Sequence, residues 1–231
     1  MTQRGAPGSG RQRARVHYAH PFAAEMIAAE VSAQLAAFPR KAPVIICIGT
    51  DRSTGDSLGP LVGSQLNAAF RGELPVYGTL DEPVHATNLL EHLLHVEQVH
   101  PDVPVLAVDA CLGATDSVGM ISVKEGPLLP GTGVNKELPP VGHFHIVGVV
   151  NVAGFMEFFV LQNTRLSMVM KMAQTICSGL KLGLQNLQLP SPGVRPLSGP
   201  LDAFAAQPGS QPAIDRPRSK WAPLSKWSGS P

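Results

Sequence analysis

The chain has 231 residues, 44% of them apolar and 15% charged, with a formal net charge of +1. That suffices for one α/β domain with a buried core, and the near-neutral balance argues against a global pull toward nucleic acid or a membrane. Three cysteines, Cys47, Cys111 and Cys177, with no C-x-x-C pair argue against a disulfide framework or a structural zinc site and suit a reducing cytoplasm.

Residues 1–19 carry Arg4, Arg11, Arg13 and Arg15, and no acid precedes Glu25. They read as a disordered basic tail with too little apolar surface to offset ordering entropy. The stretch 21–38 places Met26, Ile27, Val31, Leu35 and Phe38 at helical spacing behind Pro21. "PVIICIG" (43–49) is a short apolar run ending at glycine, which predicts a buried strand. A helix follows from Asp56 or Gly59 to Phe70, and 75–80 predicts a second strand. "ATNLLEHLLHVEQVH" (86–100) predicts a helix with Leu89, Leu90, Leu93, Leu94 and Val96 inward.

"VPVLAVDA" (103–110) predicts a third buried strand, 118–125 a half-exposed one, and 143–150 another after a glycine–proline loop. The apolar region 145–163 is interrupted by Asn151 and Glu157 and divides into a strand-like and a helix-like half. It therefore does not read as a membrane span. Its "FMEFF" aromatics are expected in the core. Residues 164–184 predict a long amphipathic helix, and 190–231, rich in Pro, Gly, Ser and Gln, a second disordered tail. The expected organisation is a single domain over 20–189. Strands alternating with helices predict a mostly parallel sheet covered on both faces, with ligands at the carboxyl ends of the strands.

"CIGTDRSTGDSLGPLVG" (47–63) invites three readings. A phosphate loop fails, because Gly49 and Gly55 are one residue too far apart and Asp56 stands where a lysine belongs. Gly55–Gly59 fits the G-x-S-x-G pattern of serine hydrolases, with Ser57 as nucleophile. That reading needs a histidine base, and no Asp has a His three positions later; the ordinary alternative for Ser57 is a hydroxyl bonding helix N-terminal amides. Asp56 reads either as a carboxylate at a helix N-terminus or as a reactive acid. Asp109, at the end of another buried strand, favours the second reading. Two facing carboxylates share a proton, hold a water as base and protonate a leaving group as acid.

The motifs carry a resemblance. "TGDSLGP", "AVDACLG" and "LPGTGVNKEL" (129–138) resemble, in order and approximate spacing, motifs of the germination protease of spore-forming bacteria. Together with "YGTLDEPVHATNL", "LPPVG" and "VNVAGFMEFFVLQNTRL", they are similar over roughly 43–183 to the YyaC-type sporulation proteins, a family often called spore proteases. The resemblance implies a three-layer phosphorylase/hydrolase-like α/β sandwich, shared with hydrogenase maturation peptidases. By position, Asp56 and Asp109 inherit the protease family's functional aspartates. The chain departs from the protease at Thr50, Asp51 and Arg52, which points to another substrate. In the third loop it offers Thr132 and Asn135 where the maturation peptidases have a metal-binding histidine, so neither metal nor cofactor is expected.

Asp81, Glu82, His85 and Asn88 cluster in "LDEPVHATN" (80–88), either as a third wall of the site or as a well-capped exposed loop. Gly131 and Gly133 supply backbone N–H groups for an oxyanion cradle or simply a turn. Cys47 and Cys111 flank the site and read as small buried hydrophobes rather than nucleophiles. The leading expectation is a cytoplasmic sporulation peptidase acting on a peptide or spore protein, with Asp56 and Asp109 activating water. The alternatives are a non-catalytic binder of such a partner in the same cleft and a serine esterase through Ser57. Self-association is left open.

Overall fold

Six strands form one sheet in the order β1-β5-β6-β4-β2-β3, in a computed structural model that describes residues 12–38, 41–131, 138–154 and 156–185. The strands are β1 (Gln12–His17), β2 (Val44–Cys47), β3 (Val76–Tyr77), β4 (Val105–Gly113), β5 (Met120–Glu125) and β6 (Phe144–Val152). The helices are α1 (Ala23–Leu35), α2 (Leu58–Phe70), α3 (Leu89–Val99), α4 (Glu157–Gln162) and α5 (Leu166–Gln185). Short 3₁₀ turns span Gly55–Ser57 and Thr115–Ser117. β3, β2, β4 and β6 run parallel, while β5 is antiparallel to both β6 and β1.

Strand alternation separates two cores. Ile45, Cys47, Leu106 and Val108 face one side, where α1, α2 and α5 cover them with Ile27, Leu58, Leu66 and Met172. Val44, Ile46, Val105 and Ala107 face the other, against Leu89, Leu93 and Val96 of α3. Both faces of β2 and the first half of β4 are buried, so these strands are continuous apolar runs rather than alternating ones. The expected three-layer α/β sandwich is the observed one.

Four local expectations change. Residues 12–17 are not tail but β1, the edge strand of the sheet, so the fold begins at residue 12 or earlier instead of at 20. Val16 is buried and Ala14 packs on the core, while Arg13 and Arg15 point outward. Arg13 approaches Glu30 at 3.4 Å and Glu125 at 3.7 Å, and Arg15 donates to Ser117 at 2.6 Å. The strand expected over 75–80 is only Val76–Tyr77, because Gly78 turns away with φ 89°. The helix expected from 86 begins at Leu89, since the preceding loop is held by Asn88.

Of the "FMEFF" aromatics expected in the core, Phe155 lies outside the described residues and the other two are not core. Met156, Phe158 and Phe159 are exposed, because α4 lies outside the helix layer beyond the end of β6. The expected tail at 190–231 lies outside the described residues.

Candidate functional site

The strand order makes the site. The chain leaves β2 through α2 toward β3 on one side of the sheet, and leaves β4 toward β5 and β6 on the other. Adjacent parallel strands whose outgoing connections diverge leave a crevice at their carboxyl ends. Asp56 follows β2 and Asp109 lies in β4, so both belong to this crevice.

Backbone hydrogen bonds extend the register past the end of β2. Ile48 N–H donates to Val108 O at 2.8 Å and Gly49 N–H donates to Val84 O at 2.8 Å. Ile48 thus sits between Val108 and Val84, forming a parallel bridge with Val84. The next residue on each segment is Asp109, Gly49 or His85. Three loops far apart in sequence therefore open side by side on one rim.

Gly49 explains how Asp56 is held there. Its φ is 144°, and a Cβ at this position would collide with the Asp56 carbonyl oxygen. The loop closes tightly, with Thr50 N–H donating to Asp56 O at 3.1 Å. Gly59 serves the same purpose in the first turn of α2, since a Cβ there would collide with Ile48 O. The glycines of this stretch thus serve chain crossing over the end of β2, a physical reason for the near-miss to a phosphate loop. The loop itself is organised by Thr50, whose Oγ1 accepts from Arg52 N–H at 3.3 Å, with Asp51 and Arg52 exposed. Ser53 Oγ is buried in this loop and has no hydrogen-bond partner among the described residues.

The capping readings do not match the structure. Ser57 Oγ donates back to Thr54 O at 2.7 Å instead of accepting from a helix amide, and it is buried. No side-chain cap bond forms at the start of the 3₁₀ turn or of α2. The hydroxyl of Ser57 pairs with a carbonyl and not with a histidine; the nearby histidine, His85, is hydrogen-bonded through Nδ1 to Thr87 at 2.9 Å.

The electrostatics of the two acids are coupled. Burial raises the Asp109 carboxyl well above its ordinary value, the neighbouring Asp56 raises it further, and a hydrogen bond from Ala110 N–H at 2.8 Å opposes this. Burial also raises Asp56, and His85 opposes that rise. One acid is thus favoured as the proton carrier, Asp109, and the other, beside an imidazole, as the ionised partner.

The 80–88 loop is braced from within, and no side-chain cap bond forms at the start of α3. Asn88 Oδ1 accepts from His85 N–H at 2.8 Å and Asn88 Nδ2 donates to Pro83 O at 3.0 Å, so Asn88 braces the loop. The brace fixes the backbone of His85, whose ring is close enough to act on the Asp56 carboxyl, whereas Asp81 is exposed. Gly131 has φ 74°, a turn conformation; Gly133 and Asn135 lie outside the described residues. Burial works against the thiolate form of both cysteines beside the site. Cys47 is fully buried and its thiol is pushed up by burial; Cys111 is pushed up to about 11 by burial and by Asp109.

A feature that sequence reading missed supports the Asp56 turn from outside. Leu161 of α4 packs on Gly55: a Cβ there would lie 2.8 Å from Leu161 Cδ2 and 2.9 Å from Thr164 Oγ1. Asn151 at the end of β6 donates to Val160 O and Thr164 Oγ1, both at 3.2 Å. Glycine at 55 and Asn151 were the visible signals. Among the described residues, no three His, Cys, Asp or Glu side chains gather as a metal-binding group, and no helix is long and apolar enough to cross a membrane.

Comparison with known proteins places this architecture. Residues 15–179 match the family described as "Protein of unknown function (DUF1256)". The chain is 48% identical over 184 residues to "Uncharacterized protein YyaC" of Bacillus subtilis (strain 168), covering 79% of this chain and 90% of that protein. The chain belongs to the DUF1256 family.

Proposed function

We propose that this DUF1256 family member is a hydrolase of peptide bonds, with Asp56 and Asp109 as one acid–base unit. The observation that carries the reading is the placement of two half-buried carboxylates, one on β4 and one in the turn that follows the adjacent β2, at the topological switch point of the sheet, where each is raised by burial. Perturbed acids in a crevice are where proton-transfer chemistry is found.

The ionised Asp56 takes a proton from a water, and the oxygen of that water bonds to the scissile carbonyl carbon. The protonated Asp109 delivers its proton to the leaving nitrogen as the C–N bond breaks. Asp56 then holds the proton taken from water, and one proton passes between the carboxylates to restore the starting state. His85 works against the burial that raises Asp56, and its own ring is hydrogen-bonded to Thr87. The resemblance of the motifs to spore proteases supports a peptide or spore-protein substrate, a sporulation role and a cytoplasmic location.

The test is a digest of spore-protein extract in ¹⁸O-water, read by mass spectrometry. The wild type is expected to produce new C-termini carrying ¹⁸O, and Asp56→Asn and Asp109→Asn to produce none. Cleavage undiminished in Asp56→Asn would overturn the mechanism. A wild type that binds peptides but never cleaves them would favour the non-catalytic binding reading.

A further inference from the structure

α4 combines two properties that a structural helix of its size does not need together. It is six residues long, and it presents Met156 at 52%, Phe158 at 62% and Phe159 at 52% exposure, followed by Leu166 at 56% at the start of α5. Met156 also adopts a left-handed backbone, φ 58° and ψ 45°, rare for a residue with an unbranched apolar side chain. Strain and exposed aromatics both work against folding, so their coincidence points to a use.

Placement says which use. α4 is built onto the turn that bears Asp56, with Leu161 seated on Gly55. Phe158 lies three residues before Leu161, on the same face of the helix and one turn toward its open end. The two phenylalanine rings meet edge to face with centroids 5.8 Å apart. The uncovered apolar surface therefore lies one helical turn from the side chain that seats on Gly55, the residue before Asp56.

Size says what fits. A phenylalanine has about 150–250 Å² to bury, so the four exposed side chains offer roughly 400 Å² in all. A stable protein–protein interface takes about 800 Å² from each partner. By itself the patch falls short of that area, and it suits one or two apolar side chains of an extended peptide.

We infer that Met156, Phe158 and Phe159 form an apolar subsite that receives hydrophobic side chains of a polypeptide whose backbone lies across Asp56 and Asp109. This rests on the peptide-bond reading above and assigns its specificity. Substrates would carry large apolar residues near the cleaved bond, and chains rich only in small polar residues would be passed over.

The experiment uses the full chain carrying Asp56→Asn, so that binding is measured without turnover. The probes are fluorescein-labelled decapeptides of Gly and Ser whose two central positions are Leu-Phe, Phe-Leu, Met-Val or Ser-Ser, read by anisotropy. The apolar set is expected to bind at least tenfold tighter than the Ser-Ser peptide. Phe158→Ser with Phe159→Ser should abolish that preference without lowering the melting temperature, since both rings are exposed. Binding of neither set, or a preference that survives the double substitution, would overturn the inference. So would a double variant that turns a dimer into a monomer in sedimentation, which would make the face a contact between copies. If the apolar peptides bind through α4 yet the unsubstituted chain cleaves none of them, the subsite stands and the hydrolytic reading falls.

Discussion

Gly49 and Gly154 form a matched pair for testing how Asp56 is positioned. Their backbones are nearly alike, with φ 144° and 148°. A non-glycine residue in that region costs about 1–3 kcal/mol from backbone strain alone. They differ in surroundings: a Cβ at Gly154 meets nothing within 4 Å, whereas one at Gly49 collides with Asp56 O and comes within 3.0 Å of Pro60 Cδ. The obstruction at Gly49 is backbone and a rigid ring, neither of which yields by a rotamer change. Forcing a methyl into a packed site costs typically about 1–3 kcal/mol more. Gly49→Ala should therefore be less stable than Gly154→Ala by that increment. For a domain of this size the gap is roughly 2–12 °C in melting temperature, at about 2–4 °C per kcal/mol. Thermal and urea unfolding of the two variants measure it. Equal losses in both would show that the loop over β2 is looser than described and that Asp56 is not pinned by its carbonyl.

Three further outcomes follow from the site and its neighbours. Asp109→Asn should stabilise the protein at neutral pH: because burial raises the folded-state acid, native protein loses stability as pH climbs from the unfolded value, about 3.9, through the folded one, and the amide removes that loss. Urea unfolding at pH 7 and at pH 3.5 should show the gain only at pH 7. Ser57→Ala should lose about 0.5–1.5 kcal/mol with its bond to Thr54 O and keep its activity; an inactive variant labelled in its parent form by a fluorophosphonate would restore the serine reading. Around Tyr77, whose hydroxyl bonds His100 Nε2 at 3.0 Å, burial lowers both His92 and His100. Stability tied to them is complete above about pH 6.5 and is lost as pH falls through the folded values, so His92→Gln should flatten the melting-temperature profile below pH 6.5.

The sequence carried the buried strands because burial on both faces turns β2 and β4 into uninterrupted apolar runs. It carried Asp109 for the same reason, because a carboxylate directly after such a run has nowhere to go but the rim, and Asp56 through its place in the loop between β2 and the next helix. It did not carry their adjacency. β2 and β4 neighbour each other only because β3 is added on the outside, a choice made by packing of α2 and α3 on opposite faces. β1 was hidden by its arginines, although Ala14 and Val16 alternate with Arg13 and Arg15 as an edge strand requires. α4 misled for the opposite reason, since a cluster of aromatics reads as core unless the fold places it beyond the last strand. The roles of Ser57 and Asn88 rest on local bonds back to the Thr54 and Pro83 carbonyls, which compete with the helix-capping bonds that the same residue types favour.

The coupling of the two aspartates is tested most directly by carboxyl ¹³C NMR titration of the protein labelled at Asp, comparing the unsubstituted chain with Asp56→Asn. Asp109 is expected to titrate above the ordinary aspartate value of about 3.9, and removing the Asp56 charge to move it downward, toward that value. An Asp109 that titrates at the ordinary value, or one whose titration is unchanged in Asp56→Asn, would contradict the coupling.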